Sequence, residues 1–345
     1  MKQILTFSAA KKFQSCHKSY YNRYRKNLVP LEQNETLFLG STIHNALELW
    51  YKRDPLDLVS PAPSGATIHF KINKLIDEAY PLRVSDEKQK RDWHLAKAMM
   101  GGYINQNPRE DFQIIDTELE FTVPIINPNT NRASRTFELM GKADALVMLN
   151  DSFYIMEHKT TALITGDYIE ILPMDFQINL YTLALSRYKN IPIAGVIYNV
   201  IQKSKIRQKQ GETETAFEIR RQELIKKSKT GKTSAKRQLP ESDESFQYRL
   251  QSVYEDPKMF HREILYISNE DIRRTQHQVW EITQEILNTQ RRGVWSQNTD
   301  NCFKYHSPCM YFPLCRAHDN PNIKDNLFKE LPPHSELSVG SDSIF

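Results

Sequence analysis

Asp144, in Gly141-Lys142-Ala143-Asp144, and Glu157 with Lys159, in Glu157-His158-Lys159, are the residues of this chain best suited to chemistry. Residues i and i+2 of a strand point to one face, so Glu157 and Lys159 stand side by side. The apolar run Phe153-Tyr154-Ile155-Met156 leads into them, and Asn150-Asp151 behind it suits a two-residue hairpin turn. That hairpin folds Asp144 back beside Glu157. Two carboxylates and an ammonium are costly to gather unless a cation neutralises the acids. Hard carboxylate oxygens suit Mg²⁺ or Mn²⁺. Such an ion polarises a phosphodiester and acidifies a water, while Lys159 orients that water or meets charge on the phosphate. The His158 carbonyl, between the two side chains, is placed to reach the same ion. The pattern predicts metal-dependent phosphodiester hydrolysis. Glu-x-Lys alone is a weak signal, because in a chain with 26% charged residues it also arises as a solvated edge pair. The apolar strand and the Gly-x-x-Asp strand before it carry the reading.

The elements that must hold these residues are legible from periodicity. Residues 7–26 read as one helix, with Ser8 as its N-cap and Cys16 inside it. Its Tyr20, Tyr21, Arg23, Tyr24 and Arg25 suit base stacking and phosphate binding, or core packing equally. A second helix over 40–50 is capped by Ser41 or Thr42 and buries Ile43, Leu47 and Trp50. His44 lies one step off that stripe and reads, by itself, as a satisfied helix-end residue. Helices follow at 66–80 and 86–106, with Gly101-Gly102 as a weak point. Strands are expected at 112–125, 136–149 and 153–159, then a helix at 174–189 and a strand at 193–201. On that helix Gln177 and Tyr181 are four apart and share a face. The order helix, three strands, helix, strand is an αβββαβ core, an α/β fold with sandwich layers. A helix at 243–255, a strand at 261–267 and a helix at 269–290 complete the body. From Asn320 the sequence turns polar, with Pro332-Pro333, and reads as a loose tail.

The chain has 345 residues, enough for two domains or one elaborated domain. It contains no apolar run long enough for a membrane helix, and Met1 to Ser8 lack a secretory apolar region. An intracellular, cytoplasmic protein is expected. The net charge of +4 is unevenly spread: residues 202–237 hold twelve Lys and Arg against four Glu. Lys203, Lys205, Arg207, Lys226 and Lys227 in this segment could track a phosphate backbone, or the segment could be a solvated loop. Lys229-Thr230-Gly231-Lys232-Thr233 imitates a nucleotide-binding P-loop, but Lys226 stands where the first glycine belongs and no apolar strand precedes it. An ATPase is excluded on this ground, so helicase action would come from a partner.

The four cysteines are Cys16, Cys302, Cys309 and Cys315. Four thiolates fit Zn²⁺ or an iron–sulfur cluster. Zinc sites favour tight knuckles, which are missing here, so the wider spacing suits a cluster better. Two disulfides or four unrelated thiols are the bland alternatives; disulfides are disfavoured in a cytosolic chain. A shared site would staple residue 16 to residue 302 and hold the C-terminal segment over the core.

In chain order Cys16, His44, Asp144, Glu157 with Lys159, Gln177 with Tyr181, then Cys302, Cys309 and Cys315 resemble the PD-(D/E)XK nuclease superfamily. Within it the pattern is most similar to the RecB-like iron–sulfur exonucleases, including CRISPR-associated RecB-like and phage exonucleases. The resemblance implies a restriction-endonuclease-like αβββαβ core and a single nuclease domain over 1–318. It would carry a helical insertion at about 55–110, a basic insertion at about 202–240 and an iron–sulfur segment at about 295–318. Residues 319–345 would be a flexible tail. It implies that His44, Asp144, Glu157 and the His158 carbonyl ligate Mg²⁺ or Mn²⁺. Lys159 is then the catalytic lysine, and Gln177 and Tyr181 position DNA or the attacking water. The four cysteines would bind a [4Fe–4S] cluster, with Zn²⁺ as the alternative. Cys302 and Cys309 depart from the family pattern, which often sets two of these cysteines only two residues apart. The implied activity is a DNA exonuclease working from single-stranded ends, in phage or bacterial recombination, repair or processing. Two alternatives stand beside it. One is a nuclease subunit or structure-selective endonuclease with a helicase or recombination partner. The other is a non-catalytic iron–sulfur or zinc DNA-binding module, which the intact Asp144, Glu157 and Lys159 disfavour.

Overall fold

The computed structural model describes residues 2–31, 35–53, 64–81, 86–304, 307–334 and 337. Strand β1 (Gln3–Leu5) is followed by helices α1 (Phe7–Ser15) and α2 (His17–Tyr24), then strand β2 (Leu28–Pro30). The single helix expected over 7–26 is two. Cys16 is extended, at φ −168° and ψ 115°, and divides them. The break brings its sulfur 3.5 Å from the Asn298 N–H, a long-range contact that periodicity does not encode. The N-cap is Thr6 rather than Ser8; its hydroxyl accepts from the Ala9 N–H at 3.1 Å.

Helices α3 (Glu35–Tyr51), α4 (Ser64–Ala79) and α5 (Glu87–Gln106) come next. Helix α3 starts before the expected cap at Ser41 or Thr42, so both lie inside it, and the Thr42 hydroxyl bonds back to the Phe38 carbonyl at 3.0 Å. Its stripe Ile43, Leu47 and Trp50 is buried, as the period predicts. Residues 54–63 and 82–85 of the expected helical insertion lie outside the described residues.

Strands β3 (Gln113–Ile126), β4 (Ala133–Leu149) and β5 (Ser152–Thr161) run in meander. The turn between β4 and β5 has φ 49° at Asn150 and 57° at Asp151. Two successive left-handed residues suit the twist of antiparallel strands, and Asn and Asp tolerate that conformation well. The chain then passes through α6 (Gly166–Glu170) and α7 (Phe176–Lys189) to β6 (Ile193–Gln202), which lies parallel to β5. Helices α8 (Glu214–Lys227) and α9 (Asp243–Val253) precede β7 (Phe260–Tyr266), antiparallel to β6. The expected αβββαβ order is thus α3, β3, β4, β5, α7, β6. Helix α8, in the basic segment, buries no residue.

One edge of β4 is paired by β3 over most of its length. The other edge is shared: β1 pairs with Phe137–Leu139 and β5 with Ala145–Leu149. The β4–β5 ladder ends at Ala145 opposite Met156, one pair short of Asp144 and Glu157. The sheet forks there. Helices α3, α4, α5 and α9 cover one face, over Val147, Met156 and Ile197. Helices α1, α7 and α10 (Asn269–Arg292) cover the other, over Leu146, Ile155 and Val196. Helix α10 begins in a capping box, Ser268 with Asp271.

Strands β8 (Phe303–Lys304) and β9 (Ser307–Pro308) pair with each other, before α11 (Phe312–Arg316), α12 (Pro321–Leu327) and strand β10 (Phe328–Glu330). Order thus extends into the expected tail. Strand β10 pairs antiparallel with β2, and Phe328 is buried with Leu28, Tyr311 and Leu314. One aromatic residue in a polar stretch anchors it. Among the described residues, no helix is long and apolar enough to cross a membrane.

Candidate active site

The fork lets side chains from both faces of the sheet meet. On the α7 face, the Lys159 ammonium contacts Glu157 directly and donates to Gln177 Oε1 at 3.1 Å. Gln177 Nε2 donates to Glu157 Oε1 at 3.0 Å, closing a triangle of three polar groups. Gln177 sits in the first turn of α7, where the Asp175 cap accepts from its N–H at 2.8 Å. Tyr181, one turn on, is hydrogen-bonded to Gln177, and burial pushes its phenol well above the ordinary range.

Asp144 bridges the fork. Its Oδ2 accepts from the His158 N–H at 2.7 Å, and its Oδ1 lies 3.2 Å from His44 Nδ1. Burial works against ionising Asp144, but His44, His158 and Lys159 outweigh it and hold its carboxyl well below the usual range. Burial pushes Glu157 the other way, upward, only partly opposed by Lys159. The two acids are driven apart because burial dominates at Glu157, where the Asp144 charge adds to it, while His44 and Lys159 dominate at Asp144. Burial disfavours a charged Lys159, yet Glu157 and Asp144 raise its pKa, so it is a firm cation. His44 is likewise raised, Asp144 overcoming burial. Burial, joined by the nearby His44, Arg262 and Lys159 and opposed by Asp144, takes His158 down to about 3, so its ring is neutral.

The structure therefore brings together His44, Asp144, Glu157, His158, Lys159, Gln177 and Tyr181. The donor set, two buried carboxylates beside a backbone carbonyl, fits a hard divalent cation. Among the described residues, no group of three or more His, Cys, Asp or Glu is already closed to ligand spacing; His44 and Asp144 bond to each other instead.

Two residues at the site were missed from sequence. Glu118 on β3 falls between the pairs Thr117–Ala145 and Leu119–Ala143, directly across from Asp144. It adopts φ 51°, unusual for a non-glycine residue. Burial pushes its carboxyl upward, and the Lys142 ammonium contacts it directly. Lys142 is two residues from Asp144 and could have been placed by alternation; Glu118 depends on a register that no local signal reveals.

The four cysteines are free and half-buried. They meet in one corner: Cys302 feels the charge of Cys309 and Cys16, and Cys315 that of Cys16 and Cys309. The Cys309 N–H donates to the Cys302 carbonyl at 2.7 Å. Burial pushes the Cys315 thiol up to about 11. Of the basic residues, Lys203 adjoins the site edge, its N–H donating to the Thr161 carbonyl at 2.7 Å. Lys205 and Arg207 are exposed beyond it, and Lys226 and Lys227 end the exposed helix α8.

No curated protein matches the chain. A solved structure titled "Crystal structure of SSO0001" is similar at 16% identity, over 64% of this chain and 94% of that one, with a TM-score of 0.22. That likeness is too slight to bear on fold or function. The family model for the PD-(D/E)XK nuclease superfamily matches residues 4–316, a span that holds the fork, its acids and all four cysteines. The chain belongs to the PD-(D/E)XK nuclease superfamily.

Proposed function

We propose that this protein is a metal-dependent DNA exonuclease of the RecB-like iron–sulfur type, acting from single-stranded ends in phage or bacterial DNA recombination, repair or processing. The observation that carries the reading is the meeting of Asp144, Glu157 and Lys159 at the fork, with Gln177 bonded to two of them. Nucleases of this superfamily use divalent metals. His44, Asp144, Glu157 and the His158 carbonyl would hold Mg²⁺ or Mn²⁺ here. Bound there, the ion would supply Lewis acidity toward the scissile phosphate and a more acidic water. Lys159 keeps its charge and meets negative charge that builds on the phosphate. Gln177 fixes the Lys159 ammonium and the Glu157 carboxylate in register, and Tyr181 holds Gln177. The 158 N–H keeps Asp144 turned into the fork.

The four thiols in one corner support a [4Fe–4S] cluster, with Zn²⁺ as the alternative; its role would be to staple Cys16 to the C-terminal segment. Lys203, Lys205, Arg207, Lys226 and Lys227 would grip the phosphate backbone. The setting is the cytoplasm of a bacterial or phage-infected cell.

The test is digestion of end-labelled linear single-stranded DNA with Mn²⁺ or Mg²⁺, comparing wild type with Glu157→Gln. Cleavage by wild type alone supports the nuclease site. Rapid cutting of closed circular single strands would exclude the end-dependent version. Retained DNA binding without cleavage by either protein would exclude autonomous catalysis.

A further inference from the structure

Strand β6 reads Val196-Ile197-Tyr198-Asn199-Val200-Ile201, a buried central strand interrupted by one amide. Asn is disfavoured in strands, and a buried amide is tolerated only where its bonds are met. Asn199, 2% exposed, is met on both sides. The register places it between His158 on β5 and Arg262 on β7, so the three form one row across neighbouring strands. Arg262 Nε donates to Asn199 Oδ1 at 3.3 Å, and Asn199 Nδ2 lies 2.9 Å from His158 Nδ1.

The bonding sense along this row is fixed. A guanidinium only donates, so it must face the amide oxygen. The amide nitrogen then faces His158 Nδ1, which must accept, leaving the ring proton on Nε2. Arg262 is held in turn by Glu110, through both carboxylate oxygens, and donates to the Tyr103 hydroxyl at 2.9 Å. Tyr51, stacked on the His158 ring at 5.4 Å between centroids, donates to Glu110 at 2.8 Å. A buried ion pair of this kind seldom adds stability beyond what apolar residues of similar size would provide. Its position suggests another use. Residue 158 supplies the N–H that holds Asp144 and, on the proposed reading, a carbonyl ligand for the ion.

We infer that Asn199, oriented by Arg262 and Glu110, is a positioning residue: by clamping the His158 ring it fixes the peptide planes around residue 158, and so sets how tightly the fork holds a divalent cation. This rests on the proposed nuclease reading. Removing an outer partner of a metal site typically costs 10–100-fold in metal affinity.

The test is calorimetric titration with Mn²⁺ of wild type, Asn199→Ala and Ile201→Ala. Ile201 lies on the same strand and face and is equally buried, so its truncation loosens the core without touching the row. The expected result is Mn²⁺ binding at least about tenfold weaker in Asn199→Ala and unchanged in Ile201→Ala, although Ile201→Ala melts earlier. Arg262→Lys guards against misfolding of Asn199→Ala. It keeps a charge opposite Glu110 but loses the planar fork, and its Mn²⁺ affinity should fall several-fold. Wild-type affinity in a folded Asn199→Ala or Arg262→Lys protein overturns the inference. Wild type that takes up no Mn²⁺ overturns it together with the nuclease reading. Wild type that binds Mn²⁺ but cleaves no DNA excludes autonomous catalysis alone, and the affinity comparison still decides the clamp.

Discussion

Replacing Arg262 by Met strands the Glu110 carboxylate. That side chain is 8% exposed against 26% for Arg262, so the charge left behind is the deeper of the two. Breaking a buried pair by removing one partner costs about 3–5 kcal/mol, because the remaining charge stays uncompensated in a poorly solvated place. The Tyr51 hydroxyl still donates to Glu110 at 2.8 Å, which puts Arg262→Met near the lower end, about 3 kcal/mol. Glu110→Leu strands the more exposed cation, which retains the Tyr103 hydroxyl at 2.9 Å; about 1–3 kcal/mol is expected. Arg262→Met with Glu110→Leu removes the pair altogether, and buried pairs replaced in this way are often neutral or better. The double variant should therefore recover most of the single losses, a coupling of about 2 kcal/mol or more. At about 1–2 °C per kcal/mol for a chain of 345 residues, Arg262→Met alone lowers Tm by roughly 3–6 °C. Thermal melts of the four corners of this cycle give the energies, and Mn²⁺ calorimetry of the double variant gives the function. The expected outcome is a protein that melts like wild type yet binds Mn²⁺ about tenfold or more weakly. If it melts and binds like wild type, the row is only packing and the reasoning fails.

Three other perturbations follow from the same geometry. Lys159→Ala should abolish cleavage while the chain stays folded and still binds DNA; gel-shift and nuclease assays on one preparation check this. Cys309→Ala should lose the bound iron or zinc and become poorly soluble; metal analysis, with colour separating a brown cluster from colourless zinc, decides it, and a stable, active variant would remove the staple. His94 is buried and its Nδ1 donates to Gln247 Oε1 at 2.7 Å, and burial sets its pKa below the ordinary 6.5. The unfolded chain thus binds the extra proton first, so this contribution to stability is complete above about pH 6.5 and is lost as pH falls through 6.5 toward the folded value, at up to about 1.4 kcal/mol per pH unit. His94→Gln should flatten the fall of Tm between pH 6.5 and 5, and an unchanged slope would show that other groups carry it.

The parts of this site that are local in sequence could be read in advance. The Asn150-Asp151 turn, the side-by-side Glu157 and Lys159, and the stripe Ile43, Leu47 and Trp50 all follow from spacings of two to four residues. The pairing of Gln177 with Glu157 was implied only by the order of motifs, since the helix that carries it could have packed in several ways. His44 was bland as a helix residue, and only the fork explains how it reaches Asp144 from the opposite face. Glu118, Asn199 and Arg262 were invisible for another reason. Their partners are set by register across separate strands, and a slip of one residue would turn each to the other side of the sheet. The break at Cys16 belongs with these: its cause lies in residues 296–302, not in the helix it interrupts.

The antiparallel pairing of Leu28–Pro30 with Phe328–Glu330 has a consequence during synthesis. About 300 residues separate the two strands. At about 5–20 residues per second, a ribosome needs roughly 15–60 s to make the second after the first. The central sheet, from β3 to β7, emerges in that interval and can assemble while Leu28 has neither a strand partner nor the cover of Tyr311, Leu314 and Phe328. The cysteine corner is bound by the same delay, since Cys16 waits for Cys302, Cys309 and Cys315. The nascent chain thus carries an uncovered strand edge beside an unshared thiol until residues 302–330 arrive, so this clasp closes after the strands of the central sheet have been made.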